Sequence, residues 1–233
     1  MNINLLELPV YYINLDREVA KRNNMEALLK RMGFSTIERV AGIEHPNPKV
    51  GCARSHHMAM ANIKAPFILL EDDLECNDLK LNYEIPDDAQ SLFLGVSQWG
   101  RFLNFSGPFT TYSRVTDEVV RVYNMLSAHA VVHLDPEYQR HLAQIAWYNG
   151  YEHLYHMDVG YAETQKYYKV YALDTPILYQ TGYNERVTNQ RISSMCMERT
   201  ASEKLFDETK YNLNKLTGVL DVQGNQSFYD PRF

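Results

Sequence analysis

The stretch Pro66–Glu75, PFILLEDDLE, decides how the rest of the chain is read. Pro66 to Leu70 is a short, continuous apolar run, the pattern of a fully buried strand. It leads straight into Glu71, Asp72 and Asp73. In open α/β sheets ligands gather outside the carboxyl ends of the strands, so three consecutive carboxylates at such an end are candidates for function. Adjacent, half-buried acids repel one another and lose hydration. A hard divalent cation removes that penalty, because Mg²⁺ and Mn²⁺ prefer oxygen ligands and commonly bind phosphate oxygens as well. The competing reading is a solvated acidic turn with helix-capping duties.

Working outward, LPVYYINL (Leu8–Leu15) reads as a first buried strand, with Asp16 as the N-cap of the helix that follows. Met25, Leu28, Leu29 and Met32 recur at helical spacing in Val19–Met32, and Gly33 ends the run. Thr36–Ala41 is a second strand, and Gly51–Ile63 a helix of small and methionine residues packed closely on a sheet. Further strands are expected at Ser91–Val96, Ala128–Leu134, Val170–Leu173 and Ile177–Tyr179, with a helix over Glu137–Trp147. Strands alternating with helices predict an α/β fold with a mostly parallel central sheet and flanking helices. No repeat or linker divides the chain. Residues 1–195 are expected to form the main domain, and 196–233 a helical extension and tail packed on it, with a helix near Glu198–Leu216.

At 233 residues, 45% hydrophobic and 12% aromatic, the chain has enough apolar matter for a sizeable core, which excludes disorder as its main state. No stretch is long enough to span a membrane, and the opening residues lack the basic and cleavage features of a signal peptide. Cys52, Cys76 and Cys196 are odd in number and unpaired in spacing, which fits reduced thiols better than a disulfide scaffold or a cysteine zinc site. A cytoplasmic protein is expected, with peripheral attachment to a membrane compatible. The net charge of −6 is unevenly spread: residues 71–90 hold eight acids against one lysine, whereas residues 1–70 hold nine bases against six acids. A local acidic block suits a bound cation, and no nucleic-acid partner is expected.

Three segments resemble glycosyltransferase family 25, the group of lipooligosaccharide and procollagen galactosyltransferases. They are YYINLDREVAKR (Tyr11–Arg22), GCARSHHMAMANI (Gly51–Ile63) and PFILLEDDLE (Pro66–Glu75). The resemblance implies a GT-A-type, Rossmann-like single domain that uses a UDP-sugar donor and Mn²⁺ or Mg²⁺ to transfer a hexose with inversion, as in lipopolysaccharide biosynthesis. It implies Asp73 as the likelier direct metal ligand, with Glu71 or Asp72 reaching ribose or metal-bound water. Asn14, Asp16 and Arg17 would meet the nucleotide, and Ser55 and His56 the donor near its diphosphate. The sequence after Gln180, GYNERVTNQR, departs from the family's usual ending.

Inverting transfer needs one general base for the acceptor hydroxyl; a metal can stabilise the leaving diphosphate without a carboxylic acid. Asp158, in YHMDVGY, is the first candidate base and Glu152 the second. His156, two residues before Asp158, is a candidate late metal ligand or a group that orients the acceptor. The same stretch also reads as an aromatic-lined surface helix. Trp99, with Gln98 beside it, offers a face and a hydrogen bond to a sugar ring. The expected partners are therefore a nucleotide-sugar donor and a glycan or other hydroxyl-bearing acceptor. Two other functions remain open on sequence alone: a metal-dependent phosphoesterase or nuclease, and a non-catalytic nucleotide-sugar-binding module.

Overall fold

The computed structural model describes residues 1–77, 80–102, 105–153, 156–180 and 187–199. Its centre is a nine-stranded sheet. In chain order the strands are β1 (Val10–Asn14), β2 (Ile37–Ala41), β3 (Phe67–Leu70), β4 (Ser91–Phe93), β5 (Thr111–Arg114), β6 (Val119–Val122), β7 (Ala130–His133), β8 (Val170–Leu173) and β9 (Met197–Glu198). Their order across the sheet is β9-β5-β6-β8-β4-β7-β3-β1-β2. β1 pairs in parallel with both β2 and β3, β8 with β4, and β5 with β9. β7 runs antiparallel to β3 and β4, and β6 antiparallel to β5 and β8. Traced through these pairings, β6 and β7 run against the other strands. The sheet is thus mixed, with most of its strands pointing one way.

Helices α1 (Val19–Met32), α2 (Pro48–Asn62), α3 (Pro136–Tyr148) and α4 (Met157–Thr164) cover the sheet, giving the expected α/β class. Alternate residues of the central strands feed two separate cores. Phe67, Leu69 and Val131 join one with Ala53, Met60, Leu142 and Tyr161 of the α2–α3–α4 layer. Ile68, Leu70 and Val132 join the other with Met25, Leu28 and Leu29 of α1. Burial on both faces explains why β3 reads as an unbroken apolar run. Asn47 caps α2 and Asp135 caps α3, each with proline in the first turn. Gln139 of α3 then ties off the far end of α2: its amide donates to the carbonyls of Met60 and Ile63 and accepts from Ala65 N–H.

Several expectations need correction. Asp16 does not cap α1; Glu18 holds that position without a side-chain bond, and Asp16 pairs with Arg39 instead. Ser91–Val96 is not one strand. β4 stops at Phe93, the ring of His129 lies against Gly95, and Val96–Ser97 pairs separately with Val187–Thr188. The strand expected at Ile177–Tyr179 is Leu178–Gln180, and it pairs with Leu74–Cys76 rather than joining the central sheet. Met197–Glu198 is an edge strand, not the start of a helix, and Arg199 N–H bonds the Tyr112 carbonyl beside it. From residue 200 on, that expected helix lies outside the described residues. Among the described residues no helix is long and apolar enough to cross a membrane.

Candidate functional site

β1 and β3 are neighbouring parallel strands, so their carboxyl ends open on the same side. Asn14 ends β1 and Glu71 follows β3. A cleft of about 300 Å³ lies there, lined by Asn14, Glu71, Asp72 and Asp73 from the strand ends. Cys52, Ser55 and His56 of α2 also line it, as do Arg17 and Lys21 around the start of α1. Gly51 lets the loop after β2 lie close on α2, since a β-carbon there would sit 2.6 Å from the Ile43 carbonyl. A larger hollow of about 540 Å³ between α2 and α3 is lined by residues such as His57 and Trp147 and by no carboxylate.

The acidic turn is held by a network of named donors. Asn14 Nδ2 donates to Asp72 at 2.6 Å and to the Glu18 carbonyl at 3.1 Å. Arg39 Nε donates to Asn14 Oδ1 at 3.0 Å, which fixes the amide orientation. Lys21 Nζ lies 3.6 Å from Asp72. Gln180 Nε2 serves two carboxylates, Glu71 at 2.8 Å and Asp73 at 3.0 Å. The strand pairing of Gln180 with Leu74 is what places it there. His56 Nε2 is 3.2 Å from the other oxygen of Glu71.

Electrostatics separate the acids. Burial raises Glu71, but the hydrogen bond and charge of His56, with His129 and Lys21, outweigh it and hold its carboxyl below the usual range. Asp73 is pushed up to about 6 by burial and then by Glu71, against the opposing pull of Gln180 and Lys21. Lys21 is raised: Asp72, Asp73 and Glu18 together overcome the burial that would lower it. An ionised Glu71 that shares one amide with Asp73 and opposes its ionisation fits a divalent cation, which would supply the missing positive charge.

The structure brings most of the sequence-predicted residues to this cleft. Ser55 lines it, although its hydroxyl is engaged by the Gly51 carbonyl at 2.7 Å and Ile43 N–H at 2.8 Å. Arg17 pairs with Glu44 across its mouth. Asp158, in the first turn of α4, is raised by burial, further by Glu71, and lowered by His156. Glu152 and His156 are exposed. Asp16, Trp99, Glu152, His156 and Asp158 are not among the lining residues; Trp99 N–H instead bonds Ser97 Oγ at 3.0 Å.

One group is new. Among the described residues, the ligand atoms of Cys52, His56 and Glu71 lie within 4.8 Å of one another and can together hold a metal ion. The spacing of the three cysteines does not mark Cys52 as a ligand. The signal lay in its separation from His56, four residues on, which puts both on one helix face. Gln180, Lys21 and Arg39 were also not singled out as site residues; their roles depend on strand pairing that the sequence does not display.

No protein-family model matches the chain, and no curated protein matches it. Among solved structures, the chain is similar to a glycosyltransferase involved in the glycosylation of the major capsid of PBCV-1. The two are 10% identical, with 64% of this chain and 76% of that one covered and a TM-score of 0.35. It is also similar to the CTP:phosphocholine cytidylyltransferase LicC from Streptococcus pneumoniae, at 10% identity, 74% and 72% coverage and a TM-score of 0.38. At these values neither likeness bears on the chemistry of the cleft.

Proposed function

We propose that this chain is a metal-dependent inverting glycosyltransferase that moves a hexose, galactose or glucose, from a UDP-sugar to a hydroxyl of a glycan or other acceptor. The observation that carries the reading is the convergence of Asn14 with Glu71, Asp72 and Asp73 on one cleft at the ends of two parallel strands, the place where such folds bind nucleotides. The resemblance of the Tyr11–Arg22, Gly51–Ile63 and Pro66–Glu75 segments to the galactosyltransferase family supports it. Asp73 and Glu71 would hold Mn²⁺ or Mg²⁺, and the ion would neutralise the departing diphosphate. Asn14 and Asp72 face the nucleoside, while Arg17 and Lys21 supply positive charge for phosphate. Asp158, raised by burial and by the charge of Glu71, would take the proton from the acceptor hydroxyl. The test is UDP release from UDP-galactose and UDP-glucose with Mn²⁺. Turnover by the native chain and its loss in Asp73→Ala support the reading; equal turnover in both proteins removes Asp73 from it, and none with either donor refutes it.

A further inference from the structure

We propose that Cys52, His56 and Glu71 form a zinc-selective site within the cleft. The inference rests on the reading above in treating this cleft as the working site; Glu71 would give zinc the oxygen that faces His56 and keep the other, beside Asp73, for the second cation. Cys52 and His56 are one turn apart on α2, and Glu71 meets them from the end of β3. Their ligand atoms lie within 4.8 Å of one another. A tetrahedral zinc with bonds of about 2.0–2.3 Å has ligand-to-ligand edges of about 3.3–3.8 Å, so no pair needs to close by more than about 1–1.5 Å from that limit. His56 Nε2 and Glu71 are already 3.2 Å apart.

The donor types decide the metal. Magnesium takes octahedral oxygen sets and gains little from sulfur, whereas thiolate, imidazole and carboxylate together suit zinc. The surrounding groups orient the ligands as metal sites require. Gln180 donates to Glu71 Oε2 at 2.8 Å, and the Glu71 N–H donates to the His129 carbonyl at 2.8 Å. His56 is buried, while Cys52 is exposed, and both line the cleft. Burial, and then the carboxylates of Glu71, Asp158 and Asp73, hold the Cys52 thiol well above its usual range, so the sulfur gives up its proton only to a bound cation.

The experiment titrates the full chain, reduced and metal-free, with Co²⁺ as a visible substitute for zinc. A near-ultraviolet thiolate-to-cobalt charge-transfer band is expected, displaced by stoichiometric Zn²⁺ but retained against about hundredfold Mg²⁺ or Mn²⁺. Cys52→Ser should abolish the band and weaken zinc binding at least about tenfold, while Cys76→Ser and Cys196→Ser keep it. Absence of the band at saturating Co²⁺ in the native protein, which needs no variant to fold, overturns the proposal. So does a band that survives Cys52→Ser. UDP binding is measured in parallel: a chain that shows the cobalt–thiolate band yet binds no UDP contradicts the transferase reading and sustains the zinc site.

Discussion

The side chain of Asn14 donates a 2.6 Å hydrogen bond to Asp72, joining the ends of two neighbouring parallel strands across the floor of the cleft. Its amide is otherwise fully engaged, by the Glu18 carbonyl and by Arg39. Asn14→Ala leaves the guanidinium and the carboxylate each short of a partner in a half-buried setting. A loss of about 2–3 kcal/mol in unfolding free energy is expected, read by urea denaturation. Asn14→Asp should cost at least as much without a cation, because it adds a fourth carboxylate, and part of that loss should return on adding Mn²⁺.

Asp73 is strained by its neighbours in the metal-free protein. Its carboxyl is pushed up to about 6 by burial and by Glu71. A raised acid stabilises the fold below its unfolded pKa and forfeits that contribution as pH climbs through the folded value. Thermal melts in EDTA should therefore show a falling contribution between about pH 4 and pH 6, worth up to about 3 kcal/mol. Because the buried histidines act oppositely over the same range, the contribution is read as a difference. The stability of Asp73→Asn relative to the native protein should rise between about pH 4 and pH 6, and its midpoint should be the higher one at pH 8. The same variant should lose the stabilisation that Mn²⁺ gives the native protein.

His129 and His133 act in the opposite sense. Burial lowers them to about 4 and about 3, and each keeps one ring nitrogen without a hydrogen-bond partner. A depressed histidine stabilises the neutral-pH fold, and that stability is lost as pH falls below about 6.5 towards the folded values. Urea midpoints should drop steeply from pH 6.5 to pH 4, by about 3 kcal/mol for His129 alone. His133 stacks on Phe67 with centroids 4.9 Å apart, so His133→Phe should keep the packing and reduce the acid loss.

Gly95 is needed for space. A β-carbon there would fall 2.0 Å from His129 Nε2. Gly95→Ala is expected to destabilise by about 1–3 kcal/mol through overpacking, measured by chemical denaturation. Adding His129→Ala should relieve the clash, so the double variant should be less destabilised than the sum of the two singles.

How far the sequence alone discloses this molecule follows from which features are local. The first strand, α1 with its Gly33 stop and the buried β3 are local patterns, and each appears within a residue or two of its expected limits. Asn14, His56 and the acidic turn follow from those elements, because strand ends and helix faces carry them to one place. Long-range pairing is not local. The reversal of β7 between β3 and β4 leaves no mark in AHAVVHL, since a strand buried on both faces reads the same in either direction. Gln180 reaches Glu71 through a pairing with Leu74 more than a hundred residues away. Asp16 looked like a helix cap only because Arg39, its partner, arrives from the next strand.

The most direct measurement is calorimetric titration of UDP into the full chain, with and without Mn²⁺, for the native protein and Asp73→Ala. The account predicts UDP binding that depends on Mn²⁺ in the native protein and disappears in the variant. Binding of equal strength without the cation, or unchanged in Asp73→Ala, would contradict the claim that this acidic turn holds a metal against a nucleoside diphosphate.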